Sequence, residues 1–479
     1  MKNQNKLLKI FIGKKLAITS ALFLGAFWLL VTATTNEDAV APCNCGTLIN
    51  IEFGADVPGD NKLITGQTQA DCFAWSEFVA LNWPIDPQES FGQPGSTGLV
   101  QWETYMNREV LMAKDGSPPP PWGDDQKAPD HLMAFAKNAP SGVKVLFHQS
   151  KFNTESLDET GQAAPENAPN WLGAQNGTNL WYEVLVNKDE YDFIVKNGFY
   201  NADSQYNYVK DGKVIDFPRG NSSGRVGAIE LKASWMEVPD PDDPKWNRYK
   251  LSEAWLIDPG SSTGRAATVA LIGLHILHKT ESQPTWLWAT FEHIDNVPGS
   301  NPKADSYNLY SDNPQAHQVN VPGNCGKNPN KTAKIYTIDT IANQPPSYYL
   351  CNGAGPVSMQ VRRVIPIDTD AKAVNKLVQN YIAKNFPGSV WANYQLVNMV
   401  WSTTPQNNQN NQVPQGVKSM QPLIPVANAA SETFIQTATC LDCHQFAPIA
   451  LSSKQPESTN FAANFSFVLE FAGYQGKKD

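Results

Sequence analysis

Ala267-Thr268-Val269-Ala270-Leu271-Ile272-Gly273-Leu274-His275-Ile276-Leu277-His278 is the run whose reading sets the fold class. It is apolar and rich in residues that suit a pleated surface, which predicts a strand. In a strand, successive side chains take opposite faces, so His275 and His278 point apart. Similar runs lie on either side. Residues 181–187, 228–238 and 285–293 alternate in the same way, and 357–367 and 394–401 are further strand candidates. Linker-like stretches rich in Pro, Gly and Asn occupy 115–130, 239–246, 296–331 and 403–425.

Helical periodicity is scarcer. Residues 71–82 bring Ala74, Trp75, Phe78 and Leu81 to one side, and 371–385 do the same with Val374, Leu377, Val378 and Ile382. A third helix is expected over 431–444, with Ser431 as N-cap. Together these signals predict a β-rich α+β protein with an antiparallel β-sandwich-like core and a C-terminal helical segment. There is no internal repeat and no shift of composition after the linkers, so 42–479 reads as one large domain.

Near the C-terminus stands Cys440-Leu441-Asp442-Cys443-His444, a C-x-x-C-H sequence of the kind that attaches c-type haem. The thiols of such a motif form thioethers with the haem vinyl groups, and the histidine binds the iron. On a helical turn the two cysteines, three residues apart, share a face with the histidine beside them. With 7 Cys and 7 His in 479 residues, random placement would produce this pattern roughly 0.0015 times. A disulfide or a partial zinc site is the alternative. Zinc wants four ligands, and no second pair follows. A thioredoxin-like reading lacks its βαβ surroundings. The sequence therefore calls for one covalent haem c held by Cys440 and Cys443, with His444 as axial ligand, in a segment at about 428–479.

The other end of the chain agrees. Lys2, Lys6, Lys9, Lys14 and Lys15 precede an uncharged, mostly apolar run over 16–33. That order predicts a signal peptide within 1–41, or an uncleaved N-terminal membrane anchor, since the run is just long enough to cross a bilayer. Either way the body is expected on the exported side, in the periplasm, where haem is attached and disulfides persist. Cys325 and Cys351 flank a loop and are expected to pair, and Cys72 has Cys43 or Cys45 as partner. The net charge of −9 argues against nucleic acid and is compatible with a basic redox partner protein.

Three stretches, 72–84 (CFAWSEFVALNWP), 273–275 leading into 284–296 (PTWLWATFEHIDN), and 428–444 (NAASETFIQTATCLDCH), with the closing 464–469, resemble exported bacterial proteins described as "cytochrome c family protein". The resemblance implies haem and redox chemistry and transfers only Cys440, Cys443 and His444. Small cytochromes c differ in placing the motif near the start, with a methionine ligand downstream. Here the 35 residues after His444 contain neither Met nor His. Motif placement is closer to the cytochrome c′ type, where one axial position can stay open.

Any distal ligand must come from upstream. His275 is the first candidate, since imidazole is a common axial ligand. His293, Met399 and Met420 follow, each with core packing as the plainer alternative. A three-histidine metal site from His275, His278 and His293 matches no zinc spacing. Residues 260–264 (GSSTG) match the nucleophile elbow formally but lack the helix it requires after the serine. Asp240, Asp242 and Asp243 lack calcium-loop spacing. Trp75, Trp83, Trp286 and Trp288 could line a haem or a sugar, with core packing as the default.

Three functional readings follow: a periplasmic mono-haem cytochrome passing electrons, a haem enzyme or small-ligand binder with an open distal iron position, and a sugar- or polymer-binding β-sandwich with accessory haem. Electron transfer alone needs only a domain of about a hundred residues. The extra length points to an added task.

Overall fold

The computed structural model describes residues 43–45, 50–62, 64–124, 128–147, 172–178, 180–258, 263–299, 307–311, 360–405, 410–433, 435–456 and 460–476. Contacts divide the chain into Met1–Ala41, outside the described residues, and Pro42–Asp479. The expected pairing of Cys325 with Cys351 also lies outside the described residues, as does the 16–33 segment. Among the described residues no helix is long and apolar enough to cross a membrane.

The strands are β1 Cys43–Asn44, β2 Asn50–Ile51, β3 Met106–Asn107, β4 Lys144–Leu146, β5 Leu180–Val186, β6 Ile229–Val238, β7 Leu251–Leu256, β8 Arg265–His278, β9 Leu287–His293, β10 Tyr394–Ser402 and β11 Met420–Gln421. The fold is β-rich α+β, as the strand-dominated pattern predicts. Nine strands form a single sheet in the order β11-β10-β9-β8-β6-β5-β3, with β7 also on β8 and β4 on β7; β1 and β2 make a separate two-stranded ribbon. The expected sandwich of two sheets is thus one sheet with each face covered by other elements. All of its pairings are antiparallel except β4 with β7.

The sheet forks along β8. One side of this 14-residue strand carries β6 over nearly its whole length, and the other carries β7 first and then β9. Backbone groups at a fork lose their ladder partners and need others. The Tyr394 hydroxyl donates to Leu271 O (2.8 Å) and accepts from Lys250 N (3.1 Å), and Asn296 Nδ2 donates to Ile272 O (2.6 Å). Ile272 is also the extra residue of a β-bulge against β6.

On one face, helix Gln67–Leu81 packs with helix Thr369–Asn385. Phe78 stacks on Phe291 at 4.2 Å, and Trp75 Nε1 donates to Asn375 Oδ1 at 3.0 Å. Helix Gln67–Leu81 is buried on nearly every side from Ala70 onward, with the chain covering it all round rather than on one stripe.

The C-terminal segment covers the other face. Asn428 Nδ2 reaches Thr290 Oγ1 (3.0 Å) and Phe291 O (2.7 Å), Tyr182 OH donates to Ala430 O (2.9 Å), and the Ser431 and Ser234 hydroxyls meet at 2.9 Å. Gly273 makes room here, since a Cβ would stand 3.1 Å from the Asn428 amide.

Two expected elements are corrected. Residues 360–367 form no strand: the chain runs irregularly toward Pro366, Arg363 is drawn to Glu292, and Arg362 to Tyr310. The helix expected over 431–444 is confined to Cys440–His444. The polar side chains upstream bond to the sheet or to nearby backbone, as Ser431 does to Ser234 and Thr433 Oγ1 to Ala429 O (2.5 Å). Such local bonds compete with helix formation. The N-cap is Thr439, not Ser431. Strand β7 and helices Lys188–Asn197 and Ala202–Val209 were not anticipated.

Cys72 pairs with Cys45, closing a separation of 27 residues. Closure of that length stabilises by about 3.5 kcal/mol in the chain-entropy model. Cys72→Ser should therefore lower the unfolding free energy by about that much. Non-reducing peptide mapping should link Cys45, rather than Cys43, to Cys72; recovery of Cys72 as a free thiol would contradict the pairing.

Candidate functional site

The turn Cys440–His444 is capped reciprocally. Thr439 N donates to the Asp442 carboxylate at 2.6 Å, which anchors the first turn and places an acid at its N-terminus. Leu441 is the buried anchor, packed into the apolar cluster that includes Trp286, Trp288 and Phe465. Cys440 is half-buried against that cluster and Cys443 is exposed; neither is in a disulfide. Three residues apart on one turn, the thiols share a side.

His444 is held on three sides. Its Nδ1 lies 2.8 Å from the Phe465 carbonyl. A carbonyl only accepts, so Nδ1 carries the hydrogen and the lone pair sits on Nε2. The ring lies edge-on between Trp288 (4.6 Å) and Phe467 (4.9 Å). This is the usual way to orient a metal-binding imidazole: one nitrogen is fixed by a hydrogen bond and the other becomes the donor.

The carbonyl that orients His444 is itself built in. Asn464 (φ 54°) and Phe465 (φ 69°) both have left-handed backbone, as does Trp286 (φ 68°). Such conformations cost about 1–2 kcal/mol per ordinary residue and persist where the surroundings enforce them. Here the enforcing bonds converge. Asn464 Oδ1 accepts from Phe217 N (3.1 Å) and from Lys279 Nζ, Asn464 O accepts from Trp286 Nε1 (3.0 Å), and Phe465 N donates to Gln415 Oε1 (2.7 Å). Asn464→Ala removes two of these bonds. It should cost about 2 kcal/mol and loosen the Phe465 carbonyl. In nitrogen-labelled protein the His444 signals should then move from a single Nδ1–H tautomer toward a mixture; an unchanged tautomer would remove Asn464 from this role.

The candidate distal ligand His275 stands on the same sheet face as Trp288, opposite Lys232 and Thr290, with its Nε2 3.3 Å from the Glu432 carboxylate. His278 is on the other face. Its Nδ1 meets Glu77 at 2.5 Å and its Nε2 meets Val226 O at 2.6 Å; burial raises the pKa of Glu77. His293 stacks on Tyr249 at 3.8 Å, accepts from Asp295 N (3.1 Å) and contacts Arg248 O (3.1 Å); burial lowers its pKa to about 3. The three histidines are thus dispersed, and among the described residues no cluster of three metal-binding side chains occurs.

Met399 belongs to the helix-covered core, and Met420 is half-buried against the cluster that holds Leu441. Thr263 and Gly264 lead straight into β8, so the nucleophile-elbow pattern has no helix after it; residues 259–262 lie outside the described residues. Asp243 caps a short turn by accepting from Lys245 N at 3.0 Å. Trp75 is core, whereas Trp288 lies on the His444 ring.

Sequence reasoning named the motif but missed Gln415, Asn464, Phe465 and Phe467. The one usable signal was the asparagine, a residue that tolerates left-handed backbone better than most.

These residues fit a covalently attached haem. Two thiols outside any disulfide share one side of a turn, and an imidazole beside them has its lone pair fixed on Nε2. No family model, no curated protein and no solved structure matches the chain.

Proposed function

We propose that the chain is an exported mono-haem c-type cytochrome, with Cys440 and Cys443 as thioether donors and His444 Nε2 as axial ligand. When bound, the haem supplies one-electron chemistry. The chain's residues fix its attachment, hold the axial imidazole through the Phe465 carbonyl, and shield that imidazole with Trp288 and Phe467. The observation that carries the reading is the C-x-x-C-H turn with its histidine already held in the metal-binding tautomer. The Cys45–Cys72 disulfide supports an oxidising compartment, in line with periplasmic export. Electron exchange would be with a redox partner protein, and the 1–41 segment would serve as signal or anchor.

The second reading is an open distal position: His275, the foremost candidate for a sixth ligand, has its Nε2 3.3 Å from the Glu432 carboxylate, without a hydrogen bond between them. Haem staining after denaturing electrophoresis tests the proposal, and a negative stain on protein matured in a haem-attaching host would end it. Optical spectra of oxidised, reduced and CO-treated protein then separate the two readings. CO binding with a large Soret change marks an open site; a low-spin spectrum indifferent to CO marks simple electron transfer.

A further inference from the structure

A second cluster of chemistry lies beneath the His444 segment. Glu230 on β6 shares its sheet face with Val186 and Leu277, and Glu190 lies in the first turn of helix Lys188–Asn197. Both are buried, at 5% and 0% exposure. No donor reaches either carboxyl oxygen of Glu190 or Oε1 of Glu230. Asn187 brings their backbones together, its Oδ1 accepting from Glu190 N (3.2 Å) and from Ile229 N (3.1 Å), the residue before Glu230. Carboxylate oxygens only accept, so two carboxyls buried side by side can bond each other only by sharing a proton.

The charged surroundings are uneven. Arg108 is paired with Glu109 and lies 3.6 Å over the Phe471 ring, with Glu470 nearby. Lys279 is buried between Asn464 and Asp216, the latter 2.8 Å away and half-exposed, and its field reaches Glu190. Asp189 turns away to Gly227 N at 2.8 Å. Lys232, two residues along β6 on the same face as Glu230, lies over the Tyr182 ring at 5.2 Å. Arg108 and Lys279 thus face Glu109, Glu190, Glu230, Glu470 and Asp216.

The cluster is joined to the proposed redox site through one row of the sheet. Trp288, whose ring lies 4.6 Å from that of His444, is paired with Leu277 on β8, and Leu277 is paired with Glu230 on β6. At ~4.8 Å between neighbouring strands, this keeps Glu230 within roughly 15 Å of the imidazole. A change of one unit charge at that range shifts a buried group's pKa by about one unit.

We propose that Glu190 and Glu230 form a proton-loading pair for the redox site, holding one proton in the oxidised protein and taking up a second from solvent when a one-electron donor protein reduces it. One electron and one proton enter together, the proton resting on the Glu230 carboxyl, and the charge of the buried region is unchanged. Burial and the neighbouring carboxyl push Glu190 well up, and burial raises Glu230 too, so both carboxyls hold a proton more readily than surface glutamates do. The proposal rests on the haem reading.

The test uses the full haem-bearing chain. Its midpoint potential should fall as pH rises through neutrality, and Glu230→Gln should flatten that dependence while leaving the optical spectrum unchanged. Reduced-minus-oxidised infrared spectra of the wild type should show a protonated-carboxyl band gained on reduction, which decides the matter even if the variant fails to fold. Haem present with a pH-independent potential and no such band would overturn the coupling alone. Absence of covalent haem would overturn the haem reading and the coupling together.

Discussion

Cys440→Ala/Cys443→Ala protein should carry no covalent haem. In denaturing electrophoresis the haem stain should vanish while the polypeptide band remains, a complete loss rather than a graded one. The reason is chemical: each thioether bond needs its own cysteine sulfur, and the remaining described cysteines, Cys43, Cys45 and Cys72, lie near the other end of the sequence, with Cys45 bonded to Cys72. Each single variant should keep a weaker stain through one thioether. His444→Ala should keep both sulfurs but change the iron's spin state or block maturation. Covalent haem retained by the double variant would place attachment elsewhere and end the present assignment.

Glu103→Ala should cost about 3–5 kcal/mol, the range for breaking a buried ion pair from one side. The Glu103 side chain is fully buried and lies 2.8 Å from Lys144 Nζ, 3.0 Å from Lys250 Nζ and 2.9 Å from Ser252 Oγ. It thus ties β4 to β7 and to the fork of the sheet. Lys144 keeps Glu183 (3.1 Å) and the Trp235 ring (3.9 Å), and Lys250 keeps hydrogen bonds to the backbone carbonyls Gly98 O and Leu251 O. Removing Glu103 leaves Lys250 with no buried counter-charge among the described residues.

Acid should show the same interaction. Burial alone would raise the pKa of Glu103, but Lys144 and Lys250 overcome it and hold it down to about 2, against an ordinary value of 4.5. A depressed carboxylate contributes stability above its unfolded pKa and loses it as pH falls through the folded one. Wild-type stability should therefore decline between pH 4.5 and 2, and that part of the decline should be missing in Glu103→Ala. Denaturant unfolding across this range measures both effects. A variant within 1 kcal/mol of wild type at neutral pH would fall well short of the about 3–5 kcal/mol this network should provide and would show it to be dispensable.

Five of the nine strands of the central sheet, β5, β6, β8, β9 and β10, were legible to within two residues from local pattern alone. β6, β8, β9 and β10 are long, apolar and β-branched, and a period of two is written in the chain itself. Strand β7 was missed because its sequence, LSEAWL, is short and mixes Ser and Glu with apolar residues. Its place in the sheet is set by pairing with β8 and β4. The helix over 431–444 was misjudged for a related reason: Ser431 bonds to Ser234 of the sheet, a partner no local pattern records, and Thr433 to the nearby Ala429 carbonyl.

By itself, the sequence determined the C-x-x-C-H spacing that puts Cys440, Cys443 and His444 on one helical turn, the β-rich class, and the separation of His275 from His278 onto opposite faces. All three follow from spacing along a few consecutive residues. Only the tertiary structure decided that the strands join in one forked sheet, that Cys45 rather than Cys43 meets Cys72, that His275 faces Glu432, and that Asn464 and Phe465 deliver a carbonyl to His444. Each of these is a contact between residues distant in the chain. Such contacts form because buried polar groups must find partners wherever the fold brings them close, and no local period records which partner that will be.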